Sequence, residues 1–181
     1  NYFEKVVDVN LAFMPTAAET ISIAVVGSDD TSTKTREKCR ALRISNIRVL
    51  RKIHAMVRKA ESALSKYDPS VLDQAISTIV LFVWSMLQPQ EAPSLEFIKN
   101  RSRRPTRDEN GKPSLTSQEG AWNALLDEYQ LGYVDTFDQV LIDGISNGYF
   151  DLAALSSNAE RIQAEIMNIR SNAELSKCWQ M

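Results

Sequence analysis

This sequence predicts a mainly α-helical fold, a multi-helix bundle with one short β-strand near its N-terminus. Three observations carry that reading. Apolar residues recur at three- and four-residue spacing through Ile47, Leu50, Ile53, Val57 and Leu64, and again from Leu72 to Leu87. Helix-start signatures stand before several such stretches: Thr16 with Glu19, Asp68 with Pro69, Thr116 with Glu119 and Ser157 with Glu160. Only residues 6–13 alternate at a period near two, with Val6, Val7, Val9, Leu11 and Phe13 set among Asp8, Asn10 and Ala12.

In chain order, Pro15 ends the strand and Thr16 opens a first helix, which runs through Ile21, Ile23, Ala24 and Val25 to a stop at Gly27. Ser28 to Thr35 is polar and reads as a loop. Arg36 to Lys66 is helical, with a break near Ser45-Asn46. Asp68 and Pro69 then cap a helix whose Ile79–Leu87 portion is apolar nearly all round, which marks it as the buried centre. Residues 89–115, with Pro89, Pro93, Pro105 and Pro113 among many charges, form a flexible, proline-rich basic connection with a short helix near Ser94–Arg101 and a mobile tip at Asp108-Glu109-Asn110-Gly111. Thr116 opens a helix through Trp122, Leu125, Leu126 and Tyr129 that Gly132 ends. Phe137, Val140, Leu141 and Ile145 mark another, ended by Asn147-Gly148, and Ser157 starts a last one reaching about Glu174. The organisation is therefore a helical unit at 1–88 that includes the strand, the connection at 89–115, and an acidic helical unit at 116–181.

The 181 residues are 44% hydrophobic and 24% charged, enough to build a globular core. The longest apolar run, Ile79 to Trp84, is far short of the about 20 residues a membrane span needs, so no transmembrane segment is expected. The start at Asn1 carries no leader pattern, so a cytoplasmic protein is expected, and it lacks an initiator Met, which leaves open whether residues precede it. Cys39 and Cys178 stand far apart and read as free thiols in a reducing compartment. His54, the single histidine, has no Cys or His partner nearby, which argues against a zinc site and against a histidine-based triad.

No phosphate-binding glycine loop, dinucleotide fingerprint, zinc-protease motif or nucleophile elbow is present. Asp29-Asp30 is a carboxylate pair in a polar loop, read as a solvated turn in preference to a metal site. This chain alone is therefore expected to be non-catalytic and to hold no cofactor or metal of its own.

Charge is the informative feature. Between Lys34 and Lys66 there are eleven Lys or Arg and only two acids, Glu37 and Glu61, whereas Pro113 to Met181 holds ten acids and three bases. Lys34, Arg36, Lys38, Arg40, Arg43, Lys52, Arg58 and Lys59 make up most of the basic strip. Three roles are open to it: a solvated helix face, a phosphate-contacting surface, or a dock for an acidic surface, the chain's own C-terminal half included. Lys99, Arg101, Arg103, Arg104 and Arg107 form a second basic cluster. No aromatic residue interleaves with the strip, which disfavours a stacking platform for single strands. Within it, Asn46 suits a helix N-cap and Arg48 falls in the first turn, where a cation opposes the helix dipole. The guanidinium's planar fork suits phosphate oxygens.

The stretch Phe3-Glu4-Lys5-Val6-Val7-Asp8-Val9-Asn10-Leu11-Ala12-Phe13-Met14-Pro15, with a capped helix after it, resembles the last core strand and following turn of KAP-type P-loop NTPases. Asn46-Ile47-Arg48-Val49-Leu50-Arg51 is similar to their N-[IL]-R-x-[LI]-[KR] helix start, and Phe137 to Phe150 resembles a C-terminal helical hairpin of some of these chains. The Walker motifs of the family's nucleotide-binding core are not in this sequence. The resemblance covers Tyr2 to Lys59 and, more loosely, the rest of the chain. It implies a lid-like helical portion beside an NTPase core of the same polypeptide, with ATP and magnesium in that parent. Arg48 would be the sensor arginine reaching the nucleotide phosphates, and Arg51 the secondary candidate.

Two further classes compete with that reading. A helical nucleic-acid-binding or protein-interaction module would use the strip at 34–66 as an exposed surface continuous with Arg101 to Arg107. A scaffold would use Tyr129, Tyr133, Tyr149 and Phe150 as an aromatic interface, although core packing explains those residues as well.

Overall fold

The computed structural model describes residues 15–101 and 115–178, which form eight helices with no strand among the described residues. They are α1 (Ala17–Ala24), α2 (Asp30–Ala41), α3 (Ile47–Leu64), α4 (Pro69–Leu87), α5 (Leu95–Asn100), α6 (Ser117–Glu128), α7 (Thr136–Asn147) and α8 (Leu152–Cys178). The strand expected at Val6–Phe13, the tip at Asp108–Gly111 and the basic residues Arg103, Arg104 and Arg107 lie outside the described residues.

The helix starts follow local chemistry. Thr16 and Thr116 each close a capping box with Glu19 and Glu119, and Asp68 accepts the Ser70 N–H ahead of Pro69. Asp135 closes a further box with Asp138 to open α7, and Gly148 ends that helix in the left-handed conformation at φ 80°. Two starts differ from expectation. Residues 30–35 are helical and do not form a loop, because Asp29 caps α2 by accepting the Ser32 N–H at 2.9 Å. The hydroxyls of Ser32 and Thr35 donate to Val26 O and Thr31 O, so these polar side chains are satisfied inside a helix. The last helix begins at Leu152, not at Ser157, because the Asp151 carboxylate accepts the N–H groups of Ala153 and Ala154 at 3.0 and 3.1 Å.

Every residue of α4 from Thr78 to Ser85 is buried. α2, α3, α5, α7 and α8 all pack against it. α4 is long and apolar enough to cross a membrane by length and composition, but most of it is enclosed by its neighbours. The apolar core is continuous from Ile21 in α1 to Ile162 in α8, so it draws on residues of both the 1–88 and the 116–181 units. Of the expected connection, Ala92 and Ile98 are buried in that same core, and the short helix near Ser94–Arg101 is α5.

Polar pins fix how α6 and α7 sit on α4. Thr78 Oγ1 donates to Asp138 Oδ1 at 2.5 Å, and Gln74 Nε2 reaches Asp138 Oδ1 at 3.3 Å and Asp135 Oδ2 at 3.2 Å. Burial pushes the Asp138 carboxyl above its ordinary range, against the pull of these donors. Tyr129 donates its hydroxyl to Ser77 O at 2.9 Å. α8 is fastened at the start of α4: Gln163 Oε1 accepts the Asp68 N–H at 3.0 Å, and Arg170 donates to both Asp68 carboxylate oxygens, at 2.5 and 3.2 Å.

Val83 is wholly enclosed. Val83→Asp places an unpaired charge among apolar side chains and lowers stability by about 3–5 kcal/mol. Chemical denaturation measures it, and a melting temperature within a degree or two of wild type would contradict the packing.

The Arg170 guanidinium, aided by the Ser70 N–H, holds the Asp68 carboxyl down to about 2. A depressed carboxyl contributes stability above its unfolded value near 3.9 and loses it as pH falls toward the folded value. Stability measured from pH 5 down to about 2 should therefore fall less steeply for Arg170→Ala than for wild type. Parallel curves would mean that the pair contributes nothing.

Candidate functional site

Among the described residues, the turn between α2 and α3 and the start of α3 bring together several cations without partners, and the shape of the turn follows from its apolar anchors. Leu42 and Ile44 are buried on either side of Arg43, which is exposed. The turn closes with two backbone bonds, Arg43 N–H to Arg40 O at 2.9 Å and Ile44 N–H to Cys39 O at 3.1 Å. This pairing leaves Arg43 left-handed at φ 54°. Asn46 then caps α3, its Oδ1 accepting the Arg48 and Val49 N–H groups at 3.0 and 3.5 Å.

The register of α3 sets which side chains face water. Its inner stripe is Val49, Leu50, Ile53, Met56, Val57, Ala60 and Leu64. The three- and four-residue spacing of that stripe turns Arg48, Arg51, Ala55, Lys59 and Ser62 outward. No acidic residue occupies the first turn of α3, so Arg48 meets the positive end of the helix without compensation.

The structure divides the predicted basic strip in two. One group is engaged in the fold. Lys34 pairs with Asp30 at 2.9 Å and with Asp73 at 2.6 Å, and it lines a cleft of about 350 Å³ against α4 together with Lys38, Asp73 and Gln74. Arg36 donates to Val25 O at 3.0 Å and Gly27 O at 2.7 Å, closing off the carbonyl end of α1. Lys38 lies 4.9 Å over the Tyr129 ring. Arg58 pairs with Asp29 at 3.1 Å and Glu61 at 2.9 Å, and Lys59 donates to Gly148 O at 3.1 Å. The other group is Arg40, Arg43, Arg48, Arg51 and Lys52. Among the described residues these five have no ion-pair or hydrogen-bond partner, and the four arginines are exposed.

Other sequence candidates resolve differently. Asp127, an acid of the C-terminal half, binds Arg101. Arg101 also donates to Asn123 Oδ1 at 3.0 Å and Leu131 O at 2.8 Å, and its side chain is only 13% exposed. It therefore fastens α5 to α6 and does not extend the strip. Asp29 is a helix cap and Asp30 a surface pair of Lys34. Tyr129 and Phe150 are core, while Tyr133 and Tyr149 are exposed. His54 is half-buried, and burial and then the Arg58 charge push its imidazole down. Burial pushes the Cys39 thiol up to about 12, which keeps it protonated. Among the described residues no group of three His, Cys, Asp or Glu side chains is placed to hold a metal ion.

The sequence missed the roles of Arg36 and Lys59. Both serve backbone carbonyls just past the ends of other helices, and no spacing rule relates a cation to an acceptor 9 or 89 residues away. Comparison with known protein families, curated proteins and solved structures gives no match.

This division of the strip is measurable. Arg36→Ala should cost about 1–2 kcal/mol, since carbonyls at the end of α1 lose a charged donor. Arg51→Ala should stay within about 0.5 kcal/mol of wild type, as an exposed side chain without a partner. Equal losses for the two would show that Arg51 also holds the fold together.

Proposed function

We propose that this chain is a non-catalytic, cytoplasmic helical module of a larger P-loop NTPase, seated beside a nucleotide-binding core that these 181 residues do not include. Its arginine cluster faces the phosphates of ATP and magnesium held on that core. The observation that carries the reading is the state of Arg48 and Arg51, which are exposed and without a partner among the described residues at a helix start whose dipole disfavours a cation. An arginine in that position adds nothing to the isolated fold and is free to reach an anion. The similarity of Asn46 to Arg51 to the helix start of KAP-type NTPases supports the same assignment. Arg48 acts as the phosphate-sensing residue and Arg51 supports it. Both stabilise charge that develops as the terminal phosphate leaves.

A second reading, a nucleic-acid-binding module, draws on the outward face of α3, where Arg48, Arg51 and Lys52 have no acid beside them in the first turn. The engagement of Arg101 with α6 and of Arg36 and Arg58 with their neighbours weighs against it, because the cations then form a local cluster and not a long track.

Arg48→Ala should leave the fold of this chain intact, with a stability change of a few tenths of a kcal/mol. In the full polypeptide it should lower nucleotide turnover by about tenfold or more, because a charge-assisted phosphate contact is lost. Unchanged turnover removes Arg48 from the site. A steep salt dependence of DNA or RNA binding by the chain, flattened in Arg48→Ala and Arg51→Ala, would favour the second reading.

A further inference from the structure

Arg43 and Gln130 are the two non-glycine residues with positive φ among the described residues, at 54° and 61°. They occupy equivalent places. Each stands just past a helix and closes the turn with the same two backbone bonds: Gln130 N–H reaches Asp127 O at 3.0 Å and Leu131 N–H reaches Leu126 O at 3.0 Å, as Arg43 and Ile44 do after α2. Glycine fits such a position without the Cβ crowding that any other residue meets there. Arg43 accepts that crowding, and its exposed side chain gains no hydrogen bond or ion pair within the described fold. Five residues on, Arg48 sits in a first turn that disfavours its charge. One turn of chain therefore holds two arginines at places where the backbone would be better served by other residues, with the exposed Arg40 on the preceding helix.

We infer that Arg43 is a further phosphate-binding residue of this site, gripping the triphosphate chain of the nucleotide alongside Arg48. The inference rests on the lid reading above and adds a residue to it. A guanidinium at the turn and another at the start of the next helix suit a chain of phosphates, since each planar fork can take two oxygens of one phosphate group. The left-handed backbone holds Arg43 at the exposed crest between the buried Leu42 and Ile44.

The test uses Arg43→Gly, Arg43→Lys and Gln130→Gly together with Arg48→Ala. It reads the melting temperature of this chain and kcat/KM for ATP in the full polypeptide. Arg43→Gly should raise the melting temperature by about 2–4 °C, because the crowding is relieved, and lower kcat/KM by about tenfold or more. Gln130→Gly should raise melting similarly and leave kcat/KM unchanged. Arg43→Lys should retain part of the activity, the charge surviving without the fork. Unchanged kcat/KM in Arg43→Gly, with Arg48→Ala still impaired, overturns the assignment of Arg43 and leaves the lid reading standing. A fall in both melting temperature and kcat/KM also overturns it, and makes Arg43 a structural cap of α2. If neither Arg48→Ala nor Arg43→Gly changes kcat/KM, the lid reading falls and the inference with it.

Discussion

From Thr78 to Ser85, α4 has no face toward water, and the rest of the molecule is arranged to make that so. Two successive turns without a solvent side must be covered all round, and each large apolar side chain so buried contributes about 1.5–3 kcal/mol. α3 supplies one wall with its strict apolar stripe, while α2, α5, α7 and α8 supply the others. The polar groups carried into this interior are paired across helices. Thr78 and Gln74 serve Asp138, and the Ser77 carbonyl accepts from Tyr129. These bonds fix the register in which α6 and α7 lie on α4, since a slip by one residue would leave a buried carboxylate without donors.

That same enclosure organises the charges. Because α3 must turn its stripe inward, its cations have only the solvent side left to occupy. Near the α1–α2 turn, Arg58 of α3 finds Asp29, as Arg36 of α2 finds Gly27 O. The cations at the opposite end of α3 find no such partner among the described residues. The acidic C-terminal unit does not neutralise them. Among the described residues, its polar contacts with the strip's cations are neutral ones, the Tyr129 ring under Lys38 and the Gly148 carbonyl at Lys59. Its Asp127 is taken by Arg101, while its Arg170 leaves it to hold Asp68. A charge asymmetry that is plain in sequence therefore persists in the folded molecule as a localised basic end, where a bound anion would experience several cations at once.

Much of this was legible in the residues themselves. The caps at Thr16, Asp68 and Thr116, the stripe of α3 and the all-round apolarity of α4 are local or periodic signals, and each element formed where its signal stood. The exposure of Arg48 followed from the same stripe. The misreadings share one cause. Residues 30–35 looked like a loop because they are polar, but their hydroxyls are satisfied by nearby carbonyls, which composition does not reveal. Ser157 with Glu160 matched a capping pattern, yet Asp151 already caps the helix and the match falls in its interior.

The sequence by itself determined the helix count near the core, the central place of α4 and the concentration of basic charge before Tyr67, because these depend on periodicity and composition within short windows. Only the tertiary structure decided which cations are spent on the fold and which are free. That choice depends on acceptors brought near by packing, such as Gly27 O for Arg36 and Gly148 O for Lys59, and not on neighbours in the chain. It also decided that Gly144 must lack a side chain. A Cβ there would run into the Phe150 ring, a clash created by the fold of α7 against the following turn and invisible in the order of residues.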